Sequence, residues 1–395
     1  MGRVHRFPDN DIVSLVGPSP RHDLAESVGP DLLLGELLSG AELSGGELSG
    51  LALGYGTAAG DPRLRAAIAA AHGVDAGDVV VTVGGMHALF LIAFTLCDPG
   101  DEVVTVTPLF PMARNALDAV GAAVRVLPLS FADGYRLDPE RLREHLTPAT
   151  KLISLASPQN PSGVALPPAT VERVLAIIAE TAPDAFLIMD ETYREATYGD
   201  TATQPSAVEL DPRVISVASL SKCHGAAGLR IGWAISRDRS LVERLVVGKF
   251  NTVLTCSSVS EELALRMFER LDSVQSERRE RLAAAIGTTA DWVAEHDAFI
   301  EWVRPDAGSI CCVRLRPSAF ADSDVEPFYR ALGDEGVRVA NGAWFGDEAR
   351  VFRLGFGFPP AVELKAALDA LGAVLRRRAG GPPPNPPGTG RSFRG

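Results

Sequence analysis

A lysine stands between two serines and is followed by glycines and an arginine in the run SLSKCHGAAGLRIGW, residues 219–233. These residue types suit a phosphate: the hydroxyls of Ser219 and Ser221 can donate, and Arg230 can fork onto phosphate oxygens. The preceding run, VISVASLS (214–221), is apolar and β-branched, so Lys222 falls just after a buried strand. Desolvation and a cationic neighbour there would lower the amine's pKa and free it to attack a carbonyl. The chain has only four lysines (Lys151, Lys222, Lys249 and Lys365), which sets this one apart from surface decoration. A solvated lysine in a surface turn is the plain alternative.

Other polar residues close apolar runs in the same way. LIMDETY (187–193) ends on Asp190, with Tyr193 three residues on, and Asp190 lies 32 residues before Lys222. An Asp in that position can also be a simple helix N-cap. SPQNPSGV (157–164) puts Asn160 in a proline-rich turn. VTVGGMHAL (81–89) passes through a glycine pair into a helix, where the amides of Gly85 and Met86 and the positive dipole end would attract a phosphate. TPLFPMAR (107–114), YGTAAGDPRLR (55–65) and VFRLGFGF (351–358) complete the set. The Asp61-Pro62 pair in the second of these also fits helix capping alone.

These residues need strands to carry them. DVVVTVG (78–84), DEVVTVTP (101–108), AAVRVLPL (122–129), KLISLASP (151–158), AFLIMDE (185–191) and VISVASLS are short apolar runs. Longer amphipathic stretches separate them, as expected of buried parallel strands in an α/β sheet covered on both faces. In such a sheet ligands bind at strand ends. Residues from about 290 to 378 change character and suit a smaller α+β domain. The GELLSG, AELSG and GELSG repeats at 35–50 predict a surface segment or, less simply, a lid. The proline- and glycine-rich end, 379–395, cannot bury a core and is expected to be disordered.

Composition narrows the partners. Of 395 residues, 46% are hydrophobic and 22% charged, ordinary for a soluble chain, and this length suggests two domains or more. A formal net charge of −12 argues against nucleic acid or an anionic membrane as the main partner. No apolar stretch is long enough for a membrane span, and no secretory signal follows the N-terminus. The five cysteines show no paired spacing, which predicts free thiols in a cytoplasmic protein and no metal site.

In order and spacing, the motifs resemble the class I/II aminotransferases, the aspartate-aminotransferase-like enzymes that use pyridoxal 5′-phosphate (PLP), over roughly residues 50–375. The resemblance implies the PLP-dependent transferase fold type I, with a mostly parallel, seven-stranded-type central sheet. It places an N-terminal arm at 1–50, a large PLP-binding domain at 51–288 and a small C-terminal domain at 289–378. By the same resemblance Lys222 carries the cofactor as a Schiff base and acts as general base. Asp190 pairs with the pyridine nitrogen, Tyr193 bonds the ring oxygen and Phe110 stacks on the ring. Asn160 contacts the ring oxygen and the substrate carboxylate, and Arg353 clamps that carboxylate. Gly85, Met86, Ser219, Ser221 and Arg230 hold the phosphate. Tyr55 reaches the phosphate of a neighbouring subunit, so a homodimer with shared sites is implied.

The activity implied is amino transfer between an L-amino acid and a 2-oxo acid. The same fold also supports elimination, cyclisation and oxidation. SKCHGAAGLR looks like a subset associated with unusual amino acids of peptide antibiotics, including arginine-derived ones. His224 departs from the family's usual apolar aromatic, and either catalysis or packing beneath the cofactor loop would account for it. Aminotransferase-like domains also serve as sensors in transcription regulators, but the segment before residue 50 shows no helix-turn-helix pattern. Residues 12–20 and NGAWFG (341–346) are candidates for the substrate side-chain pocket.

Overall fold

The computed structural model describes residues 7, 10–15, 20–38 and 48–378. The terminal tail, the middle of the GELSG repeats (39–47) and residues 16–19 lie outside the described residues. In chain order the strands are β1 (His22–Asp23), β2 (Val79–Thr82), β3 (Glu102–Thr107), β4 (Ala123–Pro128), β5 (Thr150–Ala156), β6 (Phe186–Asp190) and β7 (Val214–Ser219). They continue as β8 (Gly232–Ser236), β9 (Ile300–Val303), β10 (Ile310–Leu315), β11 (Val337–Arg338), β12 (Ala340–Asn341) and β13 (Val351–Gly355).

Seven of these form one sheet in the order β2-β8-β7-β6-β5-β3-β4. Only β8 runs against the rest, antiparallel to both β2 and β7. Alternate residues feed two cores. Val81, Val104, Ile153 and Leu187 pack into one, whereas Val80, Val103, Leu152 and Ile188 pack into the other. This period-2 split of continuous apolar runs is what a sheet covered on both faces requires. Strand β4 departs from the expectation of burial: it is the sheet edge, and its residues alternate between exposed and covered, with Leu127 alone fully buried. The helix expected from Met86 begins two residues earlier and spans Gly84–Leu96.

A second, four-stranded antiparallel sheet has the order β12-β13-β10-β9. Its core includes Phe328, Phe352, Leu354 and Leu371, with Leu282, Ile286 and Trp292 from the 25-residue helix Leu271–Glu295. Strand β1 pairs in parallel with β11, and Leu24 enters this core, so the N-terminal segment is packed into it.

The β3, β5, β6 and β7 strands all deliver their C-terminal ends to one side of the sheet. On that side β5 is the switch point, with β3 and β4 to one flank and β6 and β7 to the other. A crevice forms at such a point because neighbouring connections leave in opposite directions.

Candidate active site

A cavity of about 250 Å³ occupies this crevice. Its lining brings together Gly85, Met86, Phe110, Asn160, Asp190, Tyr193, Ser219, Ser221, Lys222 and Arg230. Asp190 closes β6, Ser219 closes β7, and Lys222 follows in the turn beyond it. Burial, with the Arg353 guanidinium adding to it, pulls the Lys222 ammonium down to about 8, although part of its surface opens to the cavity. Glu26 and Asp190 oppose that shift. Burial raises the pKa of Asp190, one of whose oxygens accepts a 3.0 Å bond from the Thr192 N–H. Burial also pushes the Tyr193 phenol up to about 12.

At one end of the cavity the helix Gly84–Leu96 starts with a left-handed glycine, Gly84, at φ +76°. A Cβ there would stand 2.3 Å from Arg230 Nη2. Arg230, itself left-handed at φ 55°, contacts Ser221 Oγ at 3.4 Å and the Ala227 carbonyl at 3.0 Å. A Cβ on Gly232 would meet Gly84 and Gly85 backbone atoms at 2.5 and 2.6 Å. The glycines thus let an arginine, two hydroxyls and a helix N-terminus converge on one small volume. Gly84→Ala is expected to cost roughly 1–2 kcal/mol in backbone strain and to push Arg230 aside. Cofactor affinity, followed by absorbance titration, should fall about tenfold, the equivalent of one charge-assisted contact.

Behind Asn160 in the cavity wall, Arg353 is 1% exposed and does not itself line the cavity. It donates to Asn160 Oδ1 at 2.9 Å and to the Ala25 carbonyl at 2.6 Å, and its carbon centre lies 4.8 Å from the Phe345 ring. Its Nε is buried with no hydrogen-bond partner. Burial lowers its pKa. The other arginines near it in sequence are engaged elsewhere: Arg338 with Asp23, Arg350 with Asp322 and Arg316 with Glu301. Of these, Arg353 alone borders Asn160.

These features test whether PLP fits. The cation-lined helix start suits a doubly charged phosphate, and Asp190 at the base suits a protonated pyridine nitrogen. A half-buried amine suits an aldehyde. The orphaned Nε of Arg353 still needs an acceptor, which a substrate carboxylate supplies. The residues fit.

Several expected residues are placed differently. Tyr55 is 85% exposed and does not line this cavity. Ile12, Phe345, Trp344 and Phe110 cluster together, so the two candidate pocket segments meet, but only Phe110 among them borders the cavity. His224 is 2% exposed and lies away from the cavity. Its Nε2 is 2.8 Å from Glu195 Oε2, near enough to pair though off the axis for a hydrogen bond, and its ring neighbours Phe268 at 6.3 Å. Burial raises the Glu195 pKa, yet His224 and Arg194 outweigh it and hold the carboxyl at about 2. The packing reading of His224 therefore prevails. His224→Phe should lower stability by about 3 kcal/mol, because it leaves the buried Glu195 carboxylate with Arg194 but without the partner of its Oε2. Denaturant unfolding would show this while turnover per folded molecule stays unchanged; lost turnover at full stability would return His224 to the chemistry.

One residue of the site escaped the sequence. Ser27 Oγ accepts from Lys222 Nζ at 3.0 Å, and its carbonyl accepts from the Tyr193 hydroxyl at 3.0 Å. Nothing local in LAESVGP marks that serine, whose partner lies 195 residues away.

Residues 43–371 match the family described as aminotransferase class I and II. The chain belongs to this family. Class I and II aminotransferases of fold type I use PLP, so PLP is the cofactor. Capreomycidine synthase from Streptomyces vinaceus is similar at 32% identity over 82% of this chain and 83% of its own length. Arginine–pyruvate transaminase from Pseudomonas aeruginosa is 29% identical over 75% of each chain. Among solved structures, the PLP-dependent cyclase OrfR superposes with a TM-score of 0.82 at 26% identity, over 96% of this chain and all of that one. The family thus includes similar proteins with more than one reaction to their names. Among the described residues, no helix is long and apolar enough to cross a membrane.

Proposed function

We propose that this PLP-dependent enzyme moves an amino group between an L-amino acid and a 2-oxo acid. The observation that carries the reading is the convergence on one cavity of a half-buried amine and a half-buried carboxylate, with Asn160 in its wall bonded to a buried arginine that keeps an unsatisfied donor. When bound, PLP supplies a carbonyl for the amino group and an electron sink for charge that develops at Cα. Lys222 would hold the cofactor and, once its amine is free, take the Cα proton as general base. Its lowered pKa leaves a usable neutral fraction near pH 8. Asp190 would keep the pyridine nitrogen protonated, and Tyr193 and Asn160 would bond the ring oxygen. Phe110 would hold the ring plane. Arg353 and Asn160 would orient the substrate carboxylate so that the Cα–H bond faces Lys222. Gly85, Met86, Ser219, Ser221 and Arg230 would anchor the phosphate.

We further infer a homodimer in which Tyr55 enters the partner's site. Its 85% exposure supports this, together with exposed Phe94, Val247 and Phe250 on two helices that pack against each other. Five free thiols, four of them buried, support a reducing, cytoplasmic setting.

A second reading is favoured by the likeness to capreomycidine synthase and to the cyclase OrfR. In it the same Lys222 abstracts the Cα proton from an arginine derivative, and the carbanion leads to cyclisation or loss of a substituent. One experiment separates the two. Amino acids, arginine and its derivatives among them, are supplied with and without a 2-oxo acid, and products are followed by mass. Conversion that requires the oxo acid and yields its amino acid supports transamination; conversion without an acceptor overturns it in favour of the second reading.

A further inference from the structure

The N-terminal residues 25–27 are bonded to the site at three points. Ala25 gives its carbonyl to Arg353 at 2.6 Å, Ser27 gives its carbonyl to Tyr193 at 3.0 Å, and Ser27 Oγ stands 3.0 Å from Lys222 Nζ. Ser27 is 7% exposed, and its backbone is fixed by the Tyr193 bond, so the hydroxyl has little freedom to turn elsewhere. A hydroxyl is the one common small side chain that can accept from an ammonium and donate to a neutral amine. We infer that Ser27 is a positioning residue for Lys222, holding its free amine at the cavity wall and stabilising the ammonium that forms when it takes a proton. This rests on Lys222 being the cofactor lysine.

Two consequences follow for the amine. With the hydroxyl present, Nζ has a defined direction whenever it is not bonded to the cofactor, which preserves its aim between proton removal and return. The hydroxyl also accepts from the charged form and thereby raises proton affinity against burial and the two arginines. Ser27 thus counteracts part of what the cavity does to the lysine. Ala25 and Ser27 further tie the carboxylate-binding end, at Arg353, to the proton-transfer end, at Lys222, through a single short segment.

The test uses the full chain loaded with pyridoxamine 5′-phosphate, in which the Lys222 amine is free. With lysine labelled at its terminal carbon and nitrogen, only four residues give signals, and Lys222→Met assigns one of them. The signal of Lys222 is followed through pH for the wild type, Ser27→Ala and Ser27→Thr. The Ser27→Ala chain should titrate about one pH unit lower, the effect of losing one hydrogen bond to a charged group. Ser27→Thr should restore the wild-type value, and the rising, acid-side limb of the pH profile of kcat should move in parallel. A Lys222 titration unchanged in a folded, loaded Ser27→Ala chain would overturn the inference. Borohydride reduction of the wild type with PLP, followed by peptide mass, separates the two levels: label away from Lys222 overturns both this inference and the assignment beneath it, whereas label on Lys222 with an unmoved titration overturns only the role of Ser27.

Discussion

Lys222→Ala is expected to abolish covalent retention of PLP and to cut turnover by about ten-thousandfold, the upper end of what one positioned proton-transfer group supplies. The argument is geometric before it is electrostatic. Among the four lysines only Lys222 borders the cavity, and its ammonium is held near 8 by burial and by Arg353. Lys249 makes a useful control. It is fully buried, and burial lowers its pKa too, but it lies beside Cys256, away from the cavity. A depressed pKa therefore does not by itself identify the site. Reduction with borohydride and peptide mapping should place the cofactor on Lys222 and leave Lys249 unlabelled. A Lys222→Ala chain that still fixes the cofactor and turns over at the wild-type rate would sink the assignment. Added primary amine should restore part of the lost rate by standing in for the missing base, although not the covalent retention.

The second large effect is expected at Arg353. Arg353→Ala should raise KM for the amino acid by about a hundredfold or more while changing kcat less, because a buried charged pair with the carboxylate is lost from bound states alike. Arg353→Lys should recover little. A single ammonium cannot serve Asn160 Oδ1, the Ala25 carbonyl and an incoming carboxylate in the plane that the guanidinium offers. Truncation also leaves Asn160 and Ala25 without their donor, so folding must be measured beside kinetics. The double variant with Asn160→Ala separates the effects: coupling between the two positions in KM, at equal thermal stability, points to shared carboxylate binding. Additive, purely thermal losses would reduce Arg353 to a structural strut.

The large sheet was legible because its signals are local. Each parallel strand is a short apolar run, and the residues that matter sit directly after its end, as Asp190 and Ser219 do. The glycine pair at the start of the helix Gly84–Leu96 is likewise a one-turn feature. Strand β8 was hidden inside GLRIGWAIS, where the motif invites a loop and the antiparallel return has no sequence mark. The edge position of β4 is a property of the whole sheet and not of AVRVLP. Arg353 was reached in the sequence by motif order alone, and the salt bridges that occupy its neighbours give a physical reason to set it apart. Ser27 was illegible for the same physical reason: its meaning comes entirely from contacts made across the fold. His224 shows the converse, since an unusual residue next to Lys222 drew notice, yet its ring points to a carboxylate behind the site.

The pairing of β1 with β11 has a consequence for the order of synthesis. Residues 22–25 leave the ribosome some three hundred positions ahead of the partners that fix them: Asp23 and Arg338 are 315 apart, and Ala25 and Arg353 are 328 apart. A nascent chain can close much of the large sheet while these early residues still wander, because its strands all precede residue 237. Arg353 reaches its place beside Ala25 only after β13 emerges, whereas Ser27 meets partners 166 and 195 residues on. Contacts of such separation form late, since the entropy of closing the loop must be met before they contribute. A partial product without β13 lacks the arginine proposed to hold the substrate carboxylate, so competence is expected with that strand rather than with the lysine.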